Sequence, residues 1–220
     1  IVFCTGAGSL HAPITQQFPL QIIRGQTSIA PATEYSRTLK TALSAASYIS
    51  PAWQGYHCFG ATFAPNNPDT AWQMEDERHN RQALSQLNEP LHRSLSAQWD
   101  DESSLHPAER GHAALRCDAH DHLPAVGALG DAAAMKQVYA KFAHDKNYPI
   151  HTPCPYLPNA YLNTAHGSRG LATAPLCAAD IAAQICRTPR LLSARLQQAL
   201  NPNRLIIKEI IHGKIGAKVR

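Results

Sequence analysis

The chain has 220 residues, 44% of them hydrophobic and 16% charged, with a formal net charge of +4. That is enough apolar sequence to bury the core of one domain. No run approaches the roughly 18 uninterrupted apolar residues that span a bilayer, and residues 1–4 are too short for the apolar region of a signal peptide, so a soluble protein with no membrane partner is expected.

The six cysteines, Cys4, Cys58, Cys117, Cys154, Cys177 and Cys186, form no C-x-x-C pair. They lie in apolar runs where cysteine behaves as a small hydrophobe, which favours a reducing, cytoplasmic setting over a disulfide framework. Charge is unevenly placed. Residues 201–220 hold Arg204, Lys208, Lys214, Lys218 and Arg220 against Glu209, a net of +4 that equals the whole chain's. Residues 69–110 lean acidic and read as a solvated surface lobe.

In chain order, residues 1–4 read as a buried strand running into a glycine turn at Gly6, with no methionine before it, as expected of a fragment. Residues 20–29, 47–50 and 56–62 read as further strands of the same sheet. Residues 74–88 carry strong helix formers; Pro90 ends that helix before a second short one over 91–98, and a loop follows over 100–107. Residues 112–118 form another strand. Asp131 is placed to cap a helix through Met135, Val138 and Phe142. Residues 149–158 contain four prolines, a density that excludes regular structure. A strand over 160–165 then leads through His166-Gly167-Ser168-Arg169-Gly170 into an alanine-rich helix over 174–186, with Pro175 in its first turn. The sum is an α/β or α+β chain, a mixed sheet with flanking helices.

The strand, glycine turn and helix start around Gly167 and Gly170 form the arrangement that lets backbone approach a ligand and offers free N–H groups at the positive end of a helix dipole. Ordinary turn geometry gives the same pattern. A second segment, Arg116-Cys117-Asp118-Ala119-His120-Asp121-His122-Leu123-Pro124-Ala125-Val126-Gly127, together with this one, resembles the C-terminal flavin-binding signature of the D-amino-acid oxidase-like family. Cys4-Thr5-Gly6-Ala7-Gly8, Ile23-Arg24-Gly25-Gln26 and Gly60-Ala61-Thr62 resemble three further segments of that family in the same order. Within the family, Gly167-Ser168-Arg169-Gly170-Leu171, Ala174-Pro175-Leu176-Cys177-Ala178 and Ala199-Leu200-Asn201-Pro202-Asn203-Arg204-Leu205 resemble the branch that modifies the wobble uridine of tRNA.

The resemblance implies a division into the end of an FAD-binding segment (1–18), a substrate domain (19–115), a C-terminal flavin-binding segment (116–200) and a basic C-terminal tail (201–220). It implies FAD as cofactor, with Gly6, Arg116, Asp121, Gly167, Ser168, Gly170 and Leu171 around it. Arg169 would act at the catalytic centre by binding the substrate carboxylate through two parallel guanidinium donors, or it serves a surface ion pair. Arg24 and Gln26 would bind substrate or stabilise the domain junction, and Arg116 would support the flavin ring or satisfy local carbonyls. The implied reaction is oxidative removal of the carboxymethyl group of 5-carboxymethylaminomethyl-(2-thio)uridine: hydride passes from the carbon next to nitrogen to flavin, water hydrolyses the imine, and glyoxylate leaves.

The implied partners are tRNA, which the basic tail would suit, and a covalently linked S-adenosylmethionine-dependent methyltransferase domain. The family's N-terminal G-x-G-x-x-G motif, which holds the FAD pyrophosphate, has no counterpart, so the isolated chain is expected to be inactive. A glycine-oxidase-like amino-acid oxidase and a non-enzymatic RNA- or partner-binding module are the alternatives. Asp118, His120, Asp121 and His122 also invite a metal reading, but a strand places neighbours on opposite faces and no further ligand follows at metal spacing, so no metal is expected.

Overall fold

The computed structural model describes residues 1–97, 99 and 111–213. In chain order its strands are β1 (Val2–Phe3), β2 (Leu20–Pro31), β3 (Leu43–Ser44), β4 (Tyr48–Ile49), β5 (Tyr56–Gly60), β6 (Ala64–Pro65), β7 (Gly111–Ala119), β8 (Ala125–Gly130) and β9 (Tyr156–Thr164). Its helices are α1 (Met74–Leu87), α2 (Glu89–Ser96), α3 (Ala132–Val138), α4 (Gly170–Cys186), α5 (Ala194–Leu200) and α6 (Asn203–Ile211). The chain divides into two units, Ile1–Ile22 with Arg116–Arg220, and Ile23–Leu115.

In the first unit β9 is the centre of a three-stranded sheet, paired in parallel with β1 (Val2↔Tyr161, Phe3↔Leu162) and antiparallel with β8. Its core gathers Leu129, Met135, Leu162, Ile206 and Ile210, all fully buried. Helix α6 explains the pairing of charge with apolar residues near the C-terminus. Leu205, Ile206 and Ile210 are buried, while Arg204 and Lys208 reach Asp121 and Glu209 meets Lys136. Lys214, Lys218 and Arg220 of the basic tail lie outside the described residues, as does the loop over 100–107. Asn203, at the start of the same helix, accepts from Gly130 N (2.7 Å) and donates to the Ala128 carbonyl (3.1 Å), fixing α6 against β8.

The second unit is built on a sheet ordered β3-β4-β5-β2-β6, with β7 also paired to β2. Helices α1 and α2 pack Leu84, Leu91 and Leu95 against Ile49 and Phe59. Beneath them lies a polar network. Glu77, 2% exposed, accepts from Ser28 Oγ and Arg81, and Asn80 donates to the Gln26 carbonyl and Ser28 Oγ, both at 3.0 Å. Part of the acidic segment expected to be solvated is therefore buried, because α1 turns Glu77 onto the sheet.

Several local expectations change. Residues 1–4 do not share a sheet with the strands over 20–31, 48–49 and 56–60, since β1 pairs with β9 instead. Strand β9 begins inside the proline-rich stretch, at Tyr156: Pro158 is exposed, Asn159 takes φ 53, and the ladder shifts register between Ala128 and Gly130, the irregularity that admits a proline. Helix α4 starts at Gly170, four residues earlier than expected, so Pro175 lies inside it. Pro90 opens α2 as well as ending α1, with the Asn88 side chain accepting from Leu91 N. Asp131 does cap α3, accepting from Ala133 N (2.9 Å) and Ala134 N (3.0 Å).

Candidate functional site

Because β1 and β9 run parallel, their carboxyl ends open at the same edge of the sheet, where the backbone cannot fill the space between two departing loops. One loop is the 3-10 turn Gly6–Leu10 and the other is the turn Gly167–Arg169 that feeds α4. Between them lies a cavity of about 250 Å³ lined by Cys4, Gly6, Cys117, Asn163, Thr164, Ala165, His166, Gly167 and Ala174. Thr5 and Ser9 hydroxyls bond at 2.7 Å, and Ser9 Oγ reaches Thr164 Oγ1 at 3.5 Å, which ties the two loops together.

His166 sets the second loop. Its Nε2–H donates to Asn163 Oδ1 at 2.9 Å and its Nδ1 accepts from Thr173 Oγ1 at 2.8 Å, with the Arg169 carbonyl, 3.0 Å from Thr173 Oγ1, as the other acceptor within reach of that hydroxyl. Burial holds the imidazole below its ordinary pKa, so it is the neutral ring that lines the cavity. Gly167 takes φ 56, a left-handed backbone that glycine adopts without strain. Helix α4 then begins with no side-chain cap at its N-terminus, leaving its positive dipole end to other partners. Burial raises the Cys117 thiol pKa, partly offset by Thr164, so Cys117 contributes a neutral wall.

Of the residues singled out from sequence, Gly6 and Gly167 line this cavity. Ser168, Arg169, Gly170 and Leu171 follow directly in the turn and helix start. Leu171 is fully exposed, and exposed Arg169 donates from Nη2 to the His122 carbonyl at 3.0 Å. Arg116 sits half-buried in β7, one residue before Cys117. Asp121 lines a different cavity, of about 310 Å³, with Pro19, His120, Leu205, Lys208, Glu209 and His212. Burial there opposes ionisation of Asp121, but hydrogen bonds from Arg204 and Lys208 outweigh it and hold the carboxyl well below the usual range.

Arg24 and Gln26 belong to the second unit and are buried, 1% and 0% exposed. Arg24 pairs with Asp76 and donates to Gln26 Oε1 (3.0 Å) and the Ala71 carbonyl (2.7 Å), and Gln26 Nε2 donates to the Gln73 carbonyl at 2.8 Å. Asp118, weighed as a metal ligand, instead accepts from Ala119 N and meets His122 Nδ1 at 2.8 Å. Sequence reasoning missed Asn163, Thr164, His166 and Thr173. Only the position of His166 just before the glycine turn hinted at its role.

The sequence pattern described as "FAD dependent oxidoreductase" matches residues 1–184. The chain is 36% identical over 215 residues to the tRNA 5-methylaminomethyl-2-thiouridine biosynthesis bifunctional protein MnmC of Pseudomonas aeruginosa strain UCBPP-PA14, covering 98% of this chain and 32% of that protein. It is 38% identical over 195 residues to the protein of the same name from Ectopseudomonas mendocina, covering 89% of this chain and 29% of that one. The chain thus spans about a third of the length of these relatives. Among solved structures, glycine oxidase from Geobacillus kaustophilus superposes with a TM-score of 0.65 at 14% identity, over 92% of this chain and 45% of that one. Iminodiacetate oxidase from Chelativorans sp. BNC1 gives 0.61 at 13% identity, over 92% and 45%. These two likenesses show the mixed α/β fold, and the match across residues 1–184 places the chain in the FAD dependent oxidoreductase family.

Proposed function

We propose that this chain works as part of an FAD-dependent oxidoreductase that removes the carboxymethyl group of 5-carboxymethylaminomethyl-(2-thio)uridine at the tRNA wobble position, joined to a methyltransferase domain in the full-length protein. The observation that carries this reading is the 36% identity, over 98% of the chain, to a bifunctional protein named for tRNA thiouridine biosynthesis. No helix among the described residues is long and apolar enough to cross a membrane.

The cavity between β1, β9 and α4 suits one edge of a flavin. At about 250 Å³ it falls below the roughly 300–1,000 Å³ of whole-ligand pockets, so it accommodates part of a larger group. Backbone N–H groups of Gly6 and Gly167, which line it, and the positive end of the uncapped helix α4 that follows would favour an electron-rich edge that gains negative charge on reduction. FAD, when bound, would supply the hydride acceptor for oxidation of the carbon beside the substrate nitrogen.

The protein's own residues have three tasks. His166, neutral and held by Asn163 and Thr173, keeps the glycine turn in position. Asp118 and His122 brace the neighbouring loop, whose carbonyl orients Arg169. Arg169 uses one N–H for that carbonyl and retains donors for a substrate carboxylate. The test uses the full-length protein, FAD and tRNA carrying the carboxymethylaminomethyl group. Release of one glyoxylate per aminomethyl uridine formed supports the reading, and flavin binding with no glyoxylate from that RNA contradicts it.

A further inference from the structure

We propose that a basic, aromatic face of the second unit, formed by Trp53, Arg37 and Lys40, is a docking surface for unpaired RNA nucleotides. It rests on the reading that the protein acts on tRNA, and it names residues of the second unit that would grip the RNA.

The aromatic element is rigidly presented. Strands β4 and β5 form an antiparallel hairpin closed at its tip by reciprocal backbone bonds between Trp53 and Tyr56, 2.8 and 3.0 Å. The two residues between them, Gln54 and Gly55, take φ 50 and 86, the paired left-handed conformations of a tight hairpin turn that matches strand twist. Ala32 N donates to the Gly55 carbonyl at 2.7 Å and anchors the tip to the end of β2. On this fixed support Trp53 is 78% exposed, and its ring contacts no other ring among the described residues. Burying so large an apolar side chain is favourable, so an indole held in water on a rigid turn is a ready partner for a flat apolar ligand.

The cationic element is equally fixed. Arg37 lies in the 3-10 turn Ser36–Thr38. Thr33 and Ser36 cap each other reciprocally, Thr33 N to Ser36 Oγ at 2.8 Å and Ser36 N to Thr33 Oγ1 at 3.0 Å. Ser36 Oγ in turn meets Nε2 of fully buried His57 at 2.9 Å, which locks the turn to β5. Lys40 Nζ donates to the Arg37 carbonyl at 3.2 Å. Arg37 and Lys40 are exposed, and neither has an acidic partner among the described residues, unlike Arg24, Arg81, Arg93, Arg190, Arg204 and Lys208. Glu34 of the same segment pairs with neither.

Between the hairpin and this turn runs a groove of about 380 Å³ lined by Arg37, Leu39, Lys40, Pro51, Ala52 and Gly55, with two cations and no acid in its wall. Two unpaired cations along a groove beside an exposed indole are the combination that grips single-stranded nucleic acid, phosphates on the cations and a base on the ring. A duplex hides its base faces, so the surface selects unpaired nucleotides such as those of a loop.

The experiment measures binding by the full-length protein of a fluorescein-labelled RNA stem–loop of anticodon-arm size and of a blunt RNA duplex, across salt concentrations. The stem–loop is expected to bind more tightly. Trp53→Ala should weaken its binding about 5- to 100-fold, with Trp53→Phe restoring most of the affinity. The paired change Arg37→Ala with Lys40→Ala should lower the slope of log affinity against log salt by about 1.4, two phosphates at roughly 0.7 each. The high exposure of Trp53 leaves the core intact in these variants, which circular dichroism checks. Wild-type affinity and salt slope in both variants, while wild-type protein still releases glyoxylate from modified tRNA, overturns the surface and leaves the functional reading standing. Loss of docking between the two covalently linked domains in Trp53→Ala, with RNA binding unchanged, overturns it in favour of a protein contact. If wild-type protein neither binds the stem–loop nor releases glyoxylate, the functional reading fails and the surface with it.

Discussion

Replacing His166 by leucine removes the two hydrogen bonds that hold the turn before α4 and leaves a group of similar bulk. The Thr173 bond is worth a net of about 0.5–1.5 kcal/mol. The Asn163 bond matters more, because Asn163 is 9% exposed and loses its partner on the cavity side, a penalty of about 1–3 kcal/mol. Thr173 can turn its hydroxyl to the Arg169 carbonyl, so no further loss is added there. The sum is a destabilisation of about 1.5–4.5 kcal/mol, read by urea unfolding of the full-length protein and localised by native-state hydrogen exchange at amides of β9 and the start of α4. The pH dependence carries a sign. Burial lowers the His166 pKa from its ordinary 6.5, so the unfolded chain takes up this proton first as pH falls. Stability from the neutral ring is fully present above about pH 6.5 and is lost as pH drops through the folded value, whereas His166→Leu lacks this component. A loss below about 0.5 kcal/mol, or a wild-type advantage that grows toward acid pH, would mean that neutral His166 does not hold this turn.

Three other changes test separate parts of the structure. Asp121→Asn should destabilise by about 1–3 kcal/mol at pH 7 by breaking its ion pairs with Arg204 and Lys208. Because the folded carboxyl is held below its unfolded value, that difference should shrink as pH falls below about 4, checked by urea midpoints at neutral and acid pH. Gly130→Ala would place a methyl 2.4 Å from Met135 Sδ and 2.9 Å from Asn203 Oδ1, an overpacking expected to cost about 1–3 kcal/mol, partly relieved by Met135→Ala. Arg169→Ala in the full-length protein should reduce glyoxylate release at least about tenfold while flavin is retained, the loss of one charge-assisted carboxylate contact. Unchanged turnover with lost flavin would reassign Arg169 to holding the cofactor.

The mixed α/β character was legible because its signals are local: the Asp131 cap, the apolar residues of α3 and α4, and the strands over residues 112–118 and 160–165. Sheet membership was not. Val2 and Phe3 pair with Tyr161 and Leu162, a partnership across most of the chain that no periodicity encodes. Strand β9 extends into the proline-rich stretch because a bulge and an exposed Pro158 spare the ladder, a compensation invisible without the partner strand. Strand β8 was hidden within a segment read for its resemblance alone. At the candidate site, Gly6 and Gly167 stood out since glycine turns mark themselves. Asn163, His166 and Thr173 act through a three-residue network whose geometry depends on where β9 ends, and Asp121 finds its cations 83 and 87 residues away.

In the function proposed above, the carboxyl ends of β1 and β9 with the start of α4 hold an edge of FAD. Hydrogen exchange of the full-length protein with and without saturating FAD tests it most directly. Exchange at residues 4–8 and 164–174 is expected to slow on binding. Saturation with flavin that leaves both segments exchanging at their flavin-free rates would contradict it.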